Sequence, residues 1–396
     1  MWTPPSSPSP SSILLLLSIA VGVAMIGLGI IWPLVPVYAM ELGAGGLLVG
    51  LIIASFNVAR VLLNPFSGRF SDRFGRKRFI VVGLLAYAGV GVCYVLPAQA
   101  ETLILIRFLH GLASVLVVPI AMALTADVAP KEKLGLYMGT LNMAVMLGLG
   151  IGPVLGGTIR DHFGMNAAFY TMGALALFTC LLVMIWIPAD ARQDFSRERS
   201  PIVPFRKMLA HRTVFGIFMM RFFTASGQGT VYTFLPILAL QLHLSSSQVG
   251  ILLGANIFLI AFLQRSFGAL ADRINPKHLV IYGTLASGLT VLGMPFVEGF
   301  VMILALNILM GMANGAALPG GLVIIGRLGR SMGMASLMSL TDAAWSLGMI
   351  VSPILSGIIL DTIGLSYTFV VGSLLIMAGC VLVMRFLKDY PPPNTP

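Results

Sequence analysis

The stretch GRFSDRFGRK at residues 68–77 joins two long apolar runs, at residues 46–67 and 79–97. It contains four cations, and a fifth, Arg78, follows it directly. Its glycines permit a tight turn. A short basic loop between two apolar runs of about 20 residues is typical of two helices that cross a membrane and connect on one side of it.

The rest of the chain repeats this arrangement of apolar runs and short loops. Of its 396 residues, 58% are hydrophobic and 10% are charged, whereas about 25% of an average soluble domain is charged. A soluble core stops growing beyond about 250–300 residues, so this much apolar surface requires a bilayer as its solvent. The runs predict an all-α membrane protein with twelve transmembrane helices, numbered as segments 1–12: 13–38, 46–67, 79–97, 102–125, 135–159, 166–187, 213–240, 247–270, 279–297, 300–325, 332–359 and 366–387.

The positive charges are distributed unevenly between the two sides of the predicted membrane. The formal net charge is +10, yet Arg160 is the only Lys or Arg in the loops that follow odd-numbered segments. The loops after even-numbered segments and the C-terminal tail hold the other loop cations, so the positive-inside rule places that side and both termini in the cytoplasm. We therefore expect a multi-pass protein of the cell inner membrane. The positive charge is a topology signal and predicts no nucleic-acid partner.

The predicted organisation is two six-helix bundles. We expect a disordered cytoplasmic N-terminus at 1–12, bundles at 13–187 and 213–387, a cytoplasmic linker at 188–212 and a cytoplasmic tail at 388–396. A shift of 200 residues aligns helix breakers and loop charges of the two bundles, including Pro36 with Pro236, Gly50 with Gly250, Pro153 with Pro353, and Asp161 with Asp361. One constant offset predicts two parallel, pseudo-symmetric repeats with a substrate site between them near the membrane midplane.

The stretch at 68–77 resembles the loop signature of the major facilitator superfamily, G-x-x-x-D-R-x-G-R-K. The matching positions are Gly68, Asp72, Arg73, Gly75 and Arg76, followed by Lys77. The resemblance implies that Asp72 latches the start of segment 11. It also implies that Arg73 or Arg76 pairs with an acid ending segment 4, a position that Asp127 fits. A basic loop with only a topological role is the alternative, and the second copy is degraded because Asn275-Pro276 replaces the later glycine and arginine.

Segment 5 carries a second signature, made of Gly148, Gly152, Pro153, Gly156 and Gly157. It is similar to the antiporter motif of the twelve-helix drug:proton antiporters within that superfamily. Glycines four residues apart let two helices pack backbone to backbone, and a proline bends a helix. The resemblance implies exchange of a small molecule against protons, and a general packing face of small residues is the alternative.

Ionisable side chains within apolar runs cost about 2.5–3.5 kcal/mol each on insertion scales and indicate function. Segment 4 carries Arg107, His110 and Ser114 on one helical face. Arg107 resembles an arginine that the family implicates in proton coupling. Histidine is the one side chain whose unperturbed pKa lies near neutrality, so His110 either carries the proton or supports Arg107 by hydrogen bonding. Asp342, the one acid well inside an apolar run, is the third proton-coupling candidate.

Other embedded polar residues are candidates for the lining of a substrate cavity. Arg60 in segment 2 and Asp342 in segment 11 lie at similar depth, so we expect a contact between them or a shared gate network. Embedded cations outnumber the embedded acid, which fits a neutral, amphipathic or anionic substrate better than a lipophilic cation. The cavity candidates are Asn57, Arg60, Arg221, Gln228, Tyr232, Asn307 and Asn314.

The predicted function is secondary active transport by alternating access: proton-coupled efflux of drug-like or amphipathic small molecules. The alternative is export of a specific metabolite, sugar or lipid that is neutral or anionic. We predict no enzyme activity, cofactor or metal site. The GRSMG stretch at 329–333 lies in a short turn with no acid or histidine placed to activate its serine, and the three cysteines lack metal-ligand spacing. The expected partners are the substrate, protons and the lipid bilayer, and we expect a monomer.

Overall fold

The computed structural model describes residues 9–130, 133–187, 205–332, 334–388 and 390. In this part of the chain the structure is helical and contains no strand. The first six long helices are α1 (Pro10–Ile31, continued by Leu34–Glu41), α2 (Gly46–Phe74), α3 (Arg76–Cys93), α4 (Thr102–Val115 and Val118–Val128), α5 (Leu134–Phe163) and α6 (Met165–Trp186). The second six are α7 (Arg212–Gln241), α8 (Ser246–Arg273), α9 (Pro276–Gly293), α10 (Phe300–Met332), α11 (Met334–Thr362) and α12 (Leu365–Phe386).

Most of these helices are apolar enough to cross a membrane. Among the described residues, 10 helical units meet that standard of length and composition, and α3 and α7 are the two that do not. α3 begins with three successive cations, and the middle of α7 is rich in Thr, Ser, Gly and Gln. Both are held by their neighbours, since α3 packs on α6 and α7 packs on α11 and α12. The predicted twelve-helix membrane fold is therefore confirmed.

The helices form two bundles with equivalent internal packing. In the first half, α1 packs on α5 and α6, α2 on α4, and α3 on α6. In the second half, α7 packs on α11 and α12, α8 on α10, and α9 on α12. The halves meet along α5–α8 and α2–α11, two contacts that the 200-residue shift interchanges. The predicted pseudo-symmetry is confirmed at the level of helix packing.

The GRFSDRFGRK stretch is more helical than the sequence analysis expected. α2 continues to Phe74 and α3 begins at Arg76, so that Gly75 alone forms the connection. The φ angle of Gly75 is 97°, a conformation that glycine adopts without strain because it has no Cβ. A single residue therefore turns the chain between two helices.

Two predicted boundaries are corrected by the structure. Residues 10–12, expected in a disordered N-terminus, belong to α1, because the Ser9 side chain accepts a hydrogen bond from the backbone N–H of Ser12 and caps the helix. The end of the predicted linker contains a short helix, Phe205–Leu209, whose Met208 is 1% exposed within the second half. Residues 188–204 of that linker lie outside the described part of the chain.

The two ends of the paired bundles differ in composition. We call the end that holds Gly46, Asp161, Ser246 and Asp361 the clasp end, because contacts between the halves concentrate there. We call the opposite end the basic end. It holds the α2–α3 connection and its cations, the start of α1 and the end of α12.

Candidate functional site

A cavity of about 380 Å³ lies between the two halves. Helices α1, α2, α4 and α5 line one side of it, and α7, α8, α10 and α11 line the other. The wall is largely apolar, with methionine, leucine, isoleucine and aromatic side chains from both halves. Clefts of this size between helices or domains are the usual location of small-molecule sites.

Arg60 and Arg107 reach this cavity from the first half, and both contact the ring of Phe56. The guanidinium carbon lies 4.7 Å from the ring centre for Arg107 and 5.8 Å for Arg60. Arg107 is 2% exposed, and its Nε and Nη1 have no hydrogen-bond partner among the described residues. This wall therefore contains a buried permanent cation with two unpartnered nitrogen donors.

Arg221 of α7 faces the cavity from the second half, with its guanidinium carbon 4.8 Å from the ring centre of Trp345 on α11. Asp342 lies one helical turn from Trp345 toward the basic end and is exposed. The charge of Asp342 interacts with those of Arg221 and Arg60. No ion pair within 4.0 Å joins Asp342 to either arginine in the described chain. The expected direct Arg60–Asp342 contact is thus not formed here, and the three charges share a wider network.

Four of the neutral cavity candidates also line the wall: Asn57, Gln228, Tyr232 and Asn314. The ring of Tyr232 lies 5.0 Å from that of Trp32 on α1, so the two halves meet through these aromatic side chains. Asn314 is 4% exposed, and neither polar atom of its side chain has a partner within the described residues. Because buried amide groups are normally hydrogen-bonded, these atoms are suited to bind a ligand in the cavity.

His110 does not line the cavity, although Arg107 and Ser114 on the same helix do. Its side chain is 0% exposed and lies among aromatic rings. The ring centres of its neighbours lie between 4.9 and 6.0 Å away, and its Nδ1 is 3.3 Å from the hydroxyl of Tyr94. The recorded hydrogen bond of His110 is thus to Tyr94, and both interpretations of its role, proton carrier or support of Arg107, stay predictions.

The cavity prediction is wrong for Asn307. This residue is 0% exposed and lies where α10 packs on α8. Its side-chain amide donates to the carbonyl of Ile303, and its own carbonyl accepts from the side chain of Asn256 at 2.9 Å. A helical spacing of seven residues places Asn307 and Asn314 on one face of α10. The cavity borders this face at Asn314 but not at Asn307.

Two carboxylates that the sequence analysis did not select join the halves at the clasp end. Asp161, at the end of α5, accepts hydrogen bonds from the backbone N–H groups of Ser246 (3.0 Å) and Ser247 (2.7 Å), which begin α8. Asp361, at the end of α11, accepts from the N–H groups of Gly46 (2.6 Å) and Leu47 (2.8 Å), which begin α2. Each carboxylate thus caps a helix of the opposite half, where the helix dipole favours negative charge.

The two clasps are related by the 200-residue repeat but differ in strength. Asp161 also accepts from the hydroxyl of Ser247 at 2.6 Å, and Arg160 donates to the hydroxyl of Ser246 at 2.6 Å and pairs with Glu41. The only sequence signal for these clasps was the alignment of Asp161 with Asp361. That alignment did not reveal the partners, because they lie in the opposite half.

The glycines of the second signature allow α5 to approach α1 and α8. A Cβ on Gly152 would lie 2.6 Å from the Cα of Gly29 on α1, so no side chain fits there. Gly148 and Gly156 also face α1, whereas Gly157 faces the start of α8. Pro153 lies within α5 and its carbonyl faces Gly250 of α8. The signature therefore lets α5 pack closely on α1 within the first half and on α8 of the second half.

At the basic end, Arg76 pairs with Asp127, the acid that ends α4. The Nε–Oδ2 distance is 2.8 Å and the Nη2–Oδ1 distance is 3.1 Å. This is the contact that the resemblance implied, while its role in gating stays a prediction. The side chains of Arg69 and Asp72 lie outside the described part of the structure. The expected latch between Asp72 and the start of α11 therefore stays a prediction.

Comparisons with known proteins agree with this geometry. Residues 17–226 and 217–396 each match the family model described as Major Facilitator Superfamily. The chain is 32% identical over 262 residues to an uncharacterized MFS-type transporter of Methanocaldococcus jannaschii, covering 65% of this chain and 68% of that one. It is 24% identical over 371 residues to Multidrug resistance protein 2 of Bacillus subtilis, covering 91% and 92%.

A solved structure has the same fold. It is a bacterial homolog of the human lysosomal transporter Spinster, crystallised in an inward-facing and occupied conformation. The TM-score is 0.84 at 15% sequence identity, with 97% of this chain and 98% of that one covered.

Proposed function

Because the chain belongs to the major facilitator superfamily, and is therefore a membrane transporter and not an enzyme, we propose that it exports drug-like or amphipathic small molecules in exchange for protons. The observation that carries the proposal is the cavity between two pseudo-symmetric halves, with arginines from both halves in its wall and Asp342 one helical turn from the lining residue Trp345. The relative from Bacillus subtilis, which carries a multidrug-resistance name over most of its length, supports the export direction. In this proposal a monomer is the transporting unit, because residues from both halves of one chain line the cavity.

The basic end faces the cytoplasm in this proposal, because Lys and Arg accumulate on the cytoplasmic side of membrane proteins. In a cell inner membrane both termini then lie inside. The clasp end faces outward and is closed by the contacts of Asp161 and Asp361. The described conformation is accordingly the one that receives cargo from the cytoplasm.

Asp342 is the proton carrier in this proposal, acting through a gate with Arg60. The two residues lie on α11 and α2, helices of opposite halves that pack against each other, and they are not paired within 4.0 Å here. Closing the cytoplasmic mouth brings these helices together, and ionised Asp342 then pairs with Arg60. A proton taken up from outside removes that pair and favours return to the cytoplasm-facing state.

Proton movement in proteoliposomes tests the coupling. Addition of a transported compound is expected to release protons from the purified, reconstituted chain. Asp342→Asn is expected to abolish this proton movement while substrate counterflow continues, because exchange needs no net proton step. The matched control is Glu298→Gln, since Glu298 is exposed in the loop before α10 and remote from the cavity. Normal proton movement in Asp342→Asn would contradict the assignment, and retained movement in His110→Ala would separate Asp342 from His110.

A further inference from the structure

We propose that the cargo is an amphipathic anion, whose anionic group binds between Arg60 and Arg107 of the first half and Arg221 of the second. This inference rests on the proposed export function and names its substrate class. It follows from the charges of the cavity wall, from the N–H groups of Arg107 that are unpartnered in the described chain and from the approach of the two halves when the cavity closes.

The charge of the cavity wall is one-sided. Arg60, Arg107 and Arg221 line the cavity, and no Asp or Glu is among the described lining residues. Asp342 lies outside the lining, one helical turn from Trp345, and supplies one negative charge against three positive charges. Burying a charge costs desolvation free energy unless a partner of opposite sign compensates it. An anion in the cavity would compensate this cost for the arginines, which have no acid beside them in the described lining. A cationic cargo would increase that cost.

The arginines are placed to bind an anion through their edges. Arg107 and Arg221 lie over the rings of Phe56 and Trp345, which hold the faces of the guanidinium groups. Stacking on a ring face leaves the edges of a guanidinium available for hydrogen bonds, and Nε and Nη1 of Arg107 are buried without a partner in the described chain. Each of these two groups of Arg107 can donate a charge-assisted hydrogen bond to an oxygen of a carboxylate or a phosphate.

The remaining wall is suited to an apolar body attached to that anionic group. Apolar side chains from both halves complete the lining, among them Met25, Leu28, Met146, Leu149, Ile257 and Ile260. Flexible methionine side chains adapt to apolar groups of different shape. The cavity of about 380 Å³ accommodates a small molecule with a charged group and an aryl or alkyl portion.

The position of the arginines gives the anion a role in the transport step. Two of the cations belong to the first half and one to the second, so closing the mouth moves like charges toward each other. An anion between them offsets this repulsion, and an empty or cation-loaded cavity does not. Binding of the cargo therefore favours closure around it.

Three fluorescent probes with one dansyl group and one linker test the substrate class: dansyl-6-aminohexanoate, its carboxamide and dansylcadaverine. They differ only in carrying a carboxylate, a neutral amide or an ammonium group. Titration of the purified full chain in lipid nanodiscs is expected to give the carboxylate about tenfold tighter binding than the carboxamide, with the ammonium compound weakest. Arg221→Gln and Arg60→Gln should each remove most of that preference while binding of the carboxamide stays within about twofold.

The matched control is Arg265→Gln, which removes one exposed cation on α8 outside the cavity lining and should leave all three affinities unchanged. Equal binding of the three probes, tighter binding of dansylcadaverine, or no binding of the carboxylate would overturn the proposal. The order of the three affinities is measured on the wild-type chain, so this part of the test does not depend on whether any variant folds. A preference for the carboxylate without proton-coupled export would contradict the proposed function but support the proposed substrate class. Proton-driven export of dansylcadaverine would do the reverse.

Discussion

The α1–α5 and α7–α11 interfaces occupy equivalent places in the two halves but are built from different chemistry. In the first half, Gly152 lies directly against Gly29, and Gly156 faces Ile30. In the second half, at positions shifted by 200 residues, Gly229 keeps the glycine of Gly29, whereas Ser352, Ser356 and Thr230 stand in place of Gly152, Gly156 and Ile30. Thr230 shares hydrogen bonds with Ser352 at 2.9 Å and with Ser356 at 2.8 Å.

This difference teaches that one helix contact can be maintained in two ways with different sensitivities. The glycine interface depends on the absence of side chains, so it is damaged by any added atom. The hydroxyl interface depends on buried hydrogen bonds, so it is damaged when a donor or acceptor is removed. Substitution to alanine is therefore expected to act through different causes at paired positions: an added methyl group in the first half and a lost hydroxyl in the second.

The largest effect is expected for Gly152→Ala, which adds a methyl group 2.6 Å from the Cα of Gly29. Backbone atoms cannot move aside individually, so α1 and α5 must separate, at a cost of about 1–3 kcal/mol. We expect a lower unfolding temperature in detergent and a transport rate reduced by at least about tenfold. Ser352→Ala at the paired position is the control, because it adds no atom. Equal damage from both substitutions would remove the distinction between the two interfaces.

The sequence predicted the position of this contact but not its chemistry. The 200-residue offset aligned the helices correctly, and the signature of α5 predicted close packing in the first half. The sequence did not reveal that Thr230 stands opposite Ser352 and Ser356, because these residues are more than 120 positions apart along the chain. Likewise, helical spacing placed His110 and Asn307 on polar faces, but a face shared with a neighbouring helix has the same spacing as one that borders a cavity.

The clasps extend the comparison to the interface between the halves, where the next largest effect is expected. Asp161→Ala removes the carboxylate that accepts two hydrogen bonds from backbone N–H groups and one from a hydroxyl. Asp361→Ala removes a carboxylate that accepts two hydrogen bonds from backbone N–H groups. Hydrogen bonds to a charged group contribute about 1.5–3 kcal/mol when buried and less at an exposed helix end. We expect faster hydrogen exchange at the start of α8 in Asp161→Ala and at the start of α2 in Asp361→Ala, measured by mass spectrometry.

Each variant serves as the other's control in that measurement, because the two clasps lie at the same depth on opposite sides of the interface. The idea that they close the same end of the transporter also predicts that the double variant shifts the protein toward opening at the clasp end. Unchanged exchange at both helix starts would show that helix packing alone closes this end.

A smaller effect is expected for Thr230→Val, which keeps the size of the side chain and removes its hydroxyl. Ser352 and Ser356 then lose their shared partner, at a cost of about 1–2 kcal/mol for buried hydroxyls that become unsatisfied. Thermal unfolding of the purified chain measures this cost. Ile30→Val at the paired position should cost about 0.5–1.5 kcal/mol through lost packing alone. A double variant, Thr230→Val with Ser352→Ala, should cost less than the sum of its parts, because both remove the same bond. Strict additivity would mean that the hydroxyls do not act together.

The smallest effect is expected at the basic end, where the two copies of the signature stretch also differ. In the first copy Arg76 pairs with Asp127, and these side chains are 14% and 20% exposed. In the second copy Pro276 replaces the arginine, and Asn275 instead donates to the carbonyl of Tyr390 at 3.3 Å. A double-mutant cycle with Arg76→Gln and Asp127→Asn should give a stability coupling of at most about 1 kcal/mol, since partly solvated ion pairs contribute little. The proposed gating role requires more than stability: the single variants should change the transport rate at unchanged unfolding temperature. If rate and stability fall together, the pair only holds α3 against α4, and the first copy has no function that the second lacks.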